Sequence, residues 1–171
     1  MFKNIANFNN TNDYIPLFNA VLLTDLFVIL LLNTNVIKSR VLREWYYKYN
    51  LSAVIADVLI ILIGLIIVRA IYYSVFNEFS IIKFAFLAVV VQMIHDILFY
   101  VLFANVPRGV NQMLDTFKDY ADEVSYKAIL SDSGMMIMAS FIASYLASQS
   151  ANTNMIVMIA SLYIMPYFIY N

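Results

Sequence analysis

Between Phe84 and Val106 the chain reads FAFLAVVVQMIHDILFYVLFANV, with Gln92, His95 and Asp96 in the middle of that apolar run. His95 is the only histidine of the chain. An amide, an imidazole and a carboxylate this close together can relay a proton, hold a cation, or bond one another. Something must offset their burial, because an ionised Asp at a membrane helix centre costs about 2.5–3.5 kcal/mol on the insertion scale. A helix turns 100° per residue, which puts Gln92 angularly between His95 and Asp96 on one broad face.

Three further apolar runs each carry one aspartate: Asp25, Asp57 and Asp132. Counted from the run ends that share a side, all four aspartates lie roughly 6–14 Å inside the same leaflet at 1.5 Å per residue. Asp25, Asp57, Gln92, His95, Asp96 and Asp132 are therefore the candidate buried polar or ion cluster. Four carboxylates with one imidazole and no buried lysine cannot all be charged in a dry site. Protonation, water or a cation must resolve the conflict. The plainer expectation is mutual hydrogen bonding that holds helices in register. Asp132, flanked by Ser131 and Ser133, reads as a helix N-cap or bend. Arg69 lies too far along its helix from Asp57 to pair with it, and is expected to snorkel outward or pair with Glu78.

The elements that position these residues follow from composition. Of 171 residues, 63% are hydrophobic and 12% charged, whereas soluble domains are closer to half apolar and a quarter charged. About 20 apolar residues span a bilayer. Five such runs fit: 14–32, 51–76, 81–105, 128–148 and 153–170. The expected fold is all-α, a single polytopic membrane helical bundle over residues 1–171. A four-span bundle with a re-entrant or interfacial last segment is the alternative. Residues 1–13 lack a small-residue cleavage site, so the first span reads as a retained anchor. Asn9-Asn10-Thr11 is formally a glycosylation sequon, too near the expected membrane edge for use.

Two connecting stretches are amphipathic. In 37–50, Ile37, Val41 and Trp45 recur every four residues among Lys38, Arg40, Arg43 and Lys48. Basic residues beside Trp and Tyr are the pattern of a helix anchored at the membrane surface. In 111–127, Met113, Phe117, Ala121 and Val124 share one face, opposite Asp115, Asp119, Asp122 and Glu123. This helix is expected to run on into the fourth span or bend sharply before it. In that span Ala139, Ala143, Ala147 and Ser140, Ser144, Ser148 form two small-residue ladders suited to close packing.

The long loops hold seven basic residues (Lys38, Arg40, Arg43, Lys48, Arg108, Lys118, Lys127), against Lys3, Arg69 and Lys83 on the other side. The positive-inside rule then places both long loops in the cytoplasm and the N-terminus outside. There are no cysteines, which excludes disulfides, thiolate metal sites and cysteine nucleophiles. A net charge of −1 and the lack of a basic soluble surface argue against nucleic acid.

Three segments carry a resemblance: HDILFY (His95–Tyr100), PRGVNQMLDTFKDYADE (Pro107–Glu123) and SDSGMM (Ser131–Met136). On these the chain resembles a family of uncharacterised multi-pass membrane proteins encoded by large DNA viruses of algae and protists. That resemblance implies a viral or host-derived membrane and transfers no activity and no site residue. The expected function is a non-enzymatic structural, assembly or anchoring protein. Its partners would be the lipid bilayer, a second copy, or other membrane or capsid proteins met through loops 33–50 and 107–127. A small proton or cation channel using the Asp/His cluster is the alternative. A membrane-embedded metal-dependent enzyme ranks third, because no HExxH or GxSxG pattern is present and only one histidine exists. No catalytic residue, cofactor or metal is assigned.

Overall fold

A computed structural model describes residues 2–170. Seven α-helices make up the fold: α1 Tyr14–Asn33, α2 Arg40–Tyr49, α3 Leu51–Val75, α4 Ile81–Asn105, α5 Gln112–Val124, α6 Lys127–Leu146 and α7 Ala151–Ile169. A short 3-10 turn, Thr11–Asp13, leads into α1. There are no strands among the described residues. Five helices (α1, α3, α4, α6 and α7) are long and apolar enough to cross a bilayer. The chain is thus an integral, multi-pass membrane protein of the all-α class.

The hub of the bundle is α1, not the helix carrying His95. Of its most apolar stretch 67% is buried, against 22% for α4 and 17% for α7. It packs on α3, α6 and α7, while α4 lies across α3 and α6. Around this hub the lipid-facing side of α3 is a stripe of exposed Leu51, Ile55, Leu59, Ile63, Ile67 and Ile71. Small residues let α6 approach α1 and α4. Ala139, Ser140, Ala143 and Ser144 are fully buried, and Ala147 is nearly so, whereas Ser148 is exposed.

Gly64 of α3 sits where α3, α4 and α6 approach closely. A Cβ there would stand 3.1 Å from Met136 Cε and 3.9 Å from Gln92 Oε1. The tip of a methionine can move aside, so Gly64→Ala will be near neutral. Gly64→Val adds methyl groups that the α3–α4–α6 junction cannot absorb and will cost about 1–3 kcal/mol. Thermal unfolding in micelles separates the two variants.

Single residues with positive φ set the bends. Asn50 (φ 48°) turns α2 into α3, and Ser125 (φ 52°) turns α5 into α6. The chain therefore bends before the fourth span instead of running on. Side-chain caps define the starts of both amphipathic helices. Ser39 Oγ accepts from Leu42 N at 3.1 Å, and Asn111 Oδ1 accepts from Met113 N and Leu114 N at 2.9 and 3.1 Å. These bonds satisfy amides that the helix itself leaves open.

Residues 2–13 are built into the bundle at the end away from α2 and α5. Ile5 and Ala6 are fully buried. Lys3 N donates to Ser144 O at 3.1 Å, and Ser144 Oγ donates back to Lys3 O at 2.6 Å. Arg69 reaches this segment and does not snorkel. Its guanidinium is buried, with Nη2 donating to Asn7 O and Asn10 O at 2.6 and 2.8 Å and lying 3.8 Å from Asp13 Oδ2. Its acidic partner is therefore Asp13, not Glu78. Asp13 is also held by Lys3 Nζ and Asn10 Nδ2, each at 2.8 Å.

Candidate functional site

The polar residues of the spans gather where α2 and α5 cross the end of the bundle. Asp25, on the hub helix, is fully buried. Its Oδ1 accepts a 2.8 Å bond from the Tyr46 hydroxyl of α2, and its Oδ2 has no partner among the described residues. Asp57, on α3, accepts from Trp45 Nε1 at 2.9 Å. The Tyr46 hydroxyl also adjoins Asp57. Burial, then the negative charges of Asp57 and Asp25, push the Tyr46 pKa well above the ordinary tyrosine value. It therefore stays a proton donor between the two carboxylates.

On α4 the three polar residues meet as the helical geometry requires. Gln92 Nε2 donates to Asp96 Oδ1 at 2.6 Å, and His95 Nδ1 lies 3.3 Å from the same oxygen. Gln92 is buried beside Gly64, whereas the His95 side chain is 34% exposed and stacks on Phe99 at 5.7 Å. Asp96 Oδ2 is buried and has no partner among the described residues.

Asp132 sits within α6, one and a half turns from its start, and is half-buried. The expectation of an N-cap there is thus corrected. The preceding bend belongs to Ser125, so Asp132 is already in regular helix. The pKa of Tyr120, on α5, is raised, first by burial and then by the charges of Asp132, Asp57, Glu123 and Asp96. The fold therefore sets the Tyr46 hydroxyl between two carboxylates and brings Tyr120 into a field of carboxylates. Asp25 and Asp57 flank Tyr46, while Tyr120 lies near enough to Asp132, Asp57, Glu123 and Asp96 to feel their charge. Among the described residues no three His, Asp or Glu side chains form a group that could hold a metal ion.

The basic and aromatic residues expected at the surface, on α2 and just before it, divide. Lys38, Arg40, Arg43 and Lys48 are exposed, and Lys48 lies over the Tyr49 ring at 5.1 Å. Trp45 is only 4% exposed, so its reading as an interfacial anchor is corrected. It is wedged between Tyr49 and Phe117, each with its ring centroid 4.9 Å away, and its ring N–H is spent on Asp57. A surface helix turns its apolar face to lipid; here that face is covered by α5 and the spans.

The two amphipathic helices also bond each other. Glu123 of α5 accepts from Ser39 Oγ at 2.6 Å and from Val41 N at 3.1 Å, closing the start of α2. Tyr49 Oη and Thr116 Oγ1 lie 3.0 Å apart, and Phe117 packs edge-on against Phe99 of α4 at 5.0 Å. Tyr46, Tyr120 and Glu123 are the site residues that sequence reasoning missed. The two tyrosines look like ordinary apolar-face aromatics. Only their hydroxyls, on faces that turn toward spans bearing aspartates, could have signalled the role.

Compared with protein-family profiles, curated proteins and solved structures, the chain matches none.

Proposed function

We propose that this chain is a non-enzymatic membrane scaffold whose intramembrane carboxylates dock a plate, α2 with α5, onto one face of the helical bundle. The observation that carries this reading is the use made of Asp25 and Asp57. Both accept hydrogen bonds from adjacent residues of α2, Tyr46 and Trp45. Carboxylates used in this way position a helix. The outward side of the plate keeps Arg40, Glu44 and Lys48 from α2 and Asp119 and Asp122 from α5 exposed. That mixed-charge surface suits assembly with a second copy or another membrane or capsid protein. The loops would face the cytoplasm, and the setting would be a viral or host-derived membrane, as the basic-residue bias and the family resemblance imply.

A second reading is favoured by one feature. Tyr46 bonds carboxylates of α1 and α3, and Tyr120 lies within the charge field of carboxylates on α3, α4 and α6, where His95 is partly exposed. Groups so placed could carry protons. Against it, the stretch beyond the layer is closed by buried Ile61, Leu65 and Val68. Proteoliposomes loaded with a pH dye decide between the two. The scaffold reading expects no proton or cation flux above that of empty vesicles. Flux that is abolished in Asp57→Asn or Asp132→Asn would replace it with the transport reading.

A further inference from the structure

Where α1 and α7 end, α2 crosses them and leaves an open cleft of about 370 Å³. Its floor is apolar, made by the buried side chains of Ile29 and Leu32 from α1 and Ile169 from α7. Its rim carries Arg40, Arg43 and Glu44. Asn33 Nδ2 donates to Phe168 O at 2.9 Å and ties the two helix ends together beside it.

The two guanidinium groups differ in a useful way. Arg43 is already held, with Nη2 donating to Leu32 O at 2.9 Å and Asn35 Oδ1 at 3.1 Å. Its remaining nitrogens have no partner among the described residues, so a donor edge is fixed in place before any ligand arrives. Arg40 is exposed and in no ion pair among the described residues, even with Glu44 one turn on. A planar guanidinium fork matches phosphate oxygens in pairs. With Glu44 the rim has a net charge of +1, and an apolar floor lies directly beneath it at the level where two spans finish. Free phosphate would leave that floor empty. An extended peptide would set its polar backbone against it. An amphiphile with a phosphate above an acyl chain satisfies both parts.

We infer that this cleft binds one anionic glycerophospholipid, its phosphate between Arg40 and Arg43 and the start of an acyl chain against Ile29, Leu32 and Ile169. The inference rests on the membrane-spanning assignment of α1 and α7 and not on the assembly role of the plate.

The test is native mass spectrometry of delipidated protein in maltoside micelles, titrated with phosphatidylglycerol, phosphatidylcholine or glycerol 3-phosphate. One phosphatidylglycerol is expected to bind saturably, at least about tenfold more tightly than phosphatidylcholine, because both lipids offer the same phosphodiester to the guanidinium groups but phosphatidylcholine also brings a trimethylammonium against a rim of net positive charge. Arg40→Gln, at an exposed position that supports no fold contact, should lose most of that preference. Glu44→Gln should tighten phosphatidylglycerol, and Lys48→Gln, outside the cleft, should leave it unchanged. Equal binding of phosphatidylcholine would overturn the proposal, as would retained preference in Arg40→Gln or equal loss in Lys48→Gln. Equal binding of glycerol 3-phosphate would overturn the acyl-chain half of it. Failure of the parent protein to partition into any bilayer would instead remove the membrane assignment itself.

Discussion

Replacing Arg69 by methionine will destabilise the bundle by about 3–5 kcal/mol, the range for removing one partner of a buried ion pair. Methionine fills the space but donates nothing. Asn7 O and Asn10 O would lose their 2.6 and 2.8 Å donors, and the buried Asp13 would lose its nearby guanidinium. The Tyr14 ring, 4.9 Å from the guanidinium carbon, would lose a cation–π partner. Asp13 still keeps Lys3 and Asn10, so the damage falls on the placement of residues 2–13 more than on the spans. Unfolding in mixed micelles measures the cost, and hydrogen exchange at residues 4–10 shows the release. An Arg69→Met protein with parental stability and parental protection there would show that the arginine is no clasp. Arg69→Lys should fall between the two, because one ammonium cannot make the same forked set of bonds.

Trp45→Ala is the second large effect and acts at the opposite end. Trp45 is nearly fully buried, touches Phe117 and Tyr49, and satisfies Asp57. Truncating a buried tryptophan costs about 3–5 kcal/mol. Here the loss also frees α2, because Tyr46 alone would then tie that helix to the aspartates. Trp45→Phe keeps most of the packing but leaves Asp57 without its ring N–H donor, for about 1–3 kcal/mol. The chain has no cysteine, so a single Leu42→Cys becomes a clean reporter on α2. Its maleimide labelling should accelerate sharply in Trp45→Ala and only modestly in Trp45→Phe. Equal labelling in all three backgrounds would mean that Trp45 does not hold the plate, and with it the main support for a scaffold would go.

The span boundaries were legible in the sequence because long apolar runs leave a bilayer helix little alternative. Runs placed at 51–76 and 81–105 differ by at most one residue from Leu51–Val75 and Ile81–Asn105. What sits at the centre was not legible. In lipid the outward and inward faces of a helix are both apolar, so nothing in the pattern separates the hub α1 from the peripheral α4. Depth counting brought the aspartates to one layer, but facing had to wait for the fold. Arg69 reads as snorkelling in the sequence because a long cationic side chain near a helix end ordinarily reaches for water. The polar segment 2–13 hides two apolar residues, Ile5 and Ala6, that let it fold over that position and seal it. The buried place of Trp45 is hidden in the sequence for a related reason. An aromatic on a basic amphipathic helix suggests lipid, and only the presence of α5 shows that lipid does not reach it.

The central place of α1 has a consequence for how the protein is made. Its Asn19 donates to Asn154 O at 2.7 Å, and its Asn33 to Phe168 O, each across 135 residues of chain. At about 5–20 residues per second, roughly 7–27 s of translation separate each amide from its acceptor. During that interval α1 holds unmatched polar groups in the nascent bundle. The helix that matches them, α7, is made after α1 to α6. Assembly of the core therefore cannot finish before synthesis of the fifth span, and a ribosome stalled ahead of Ala151 would hold an open bundle that quality-control factors could recognise by those exposed amides.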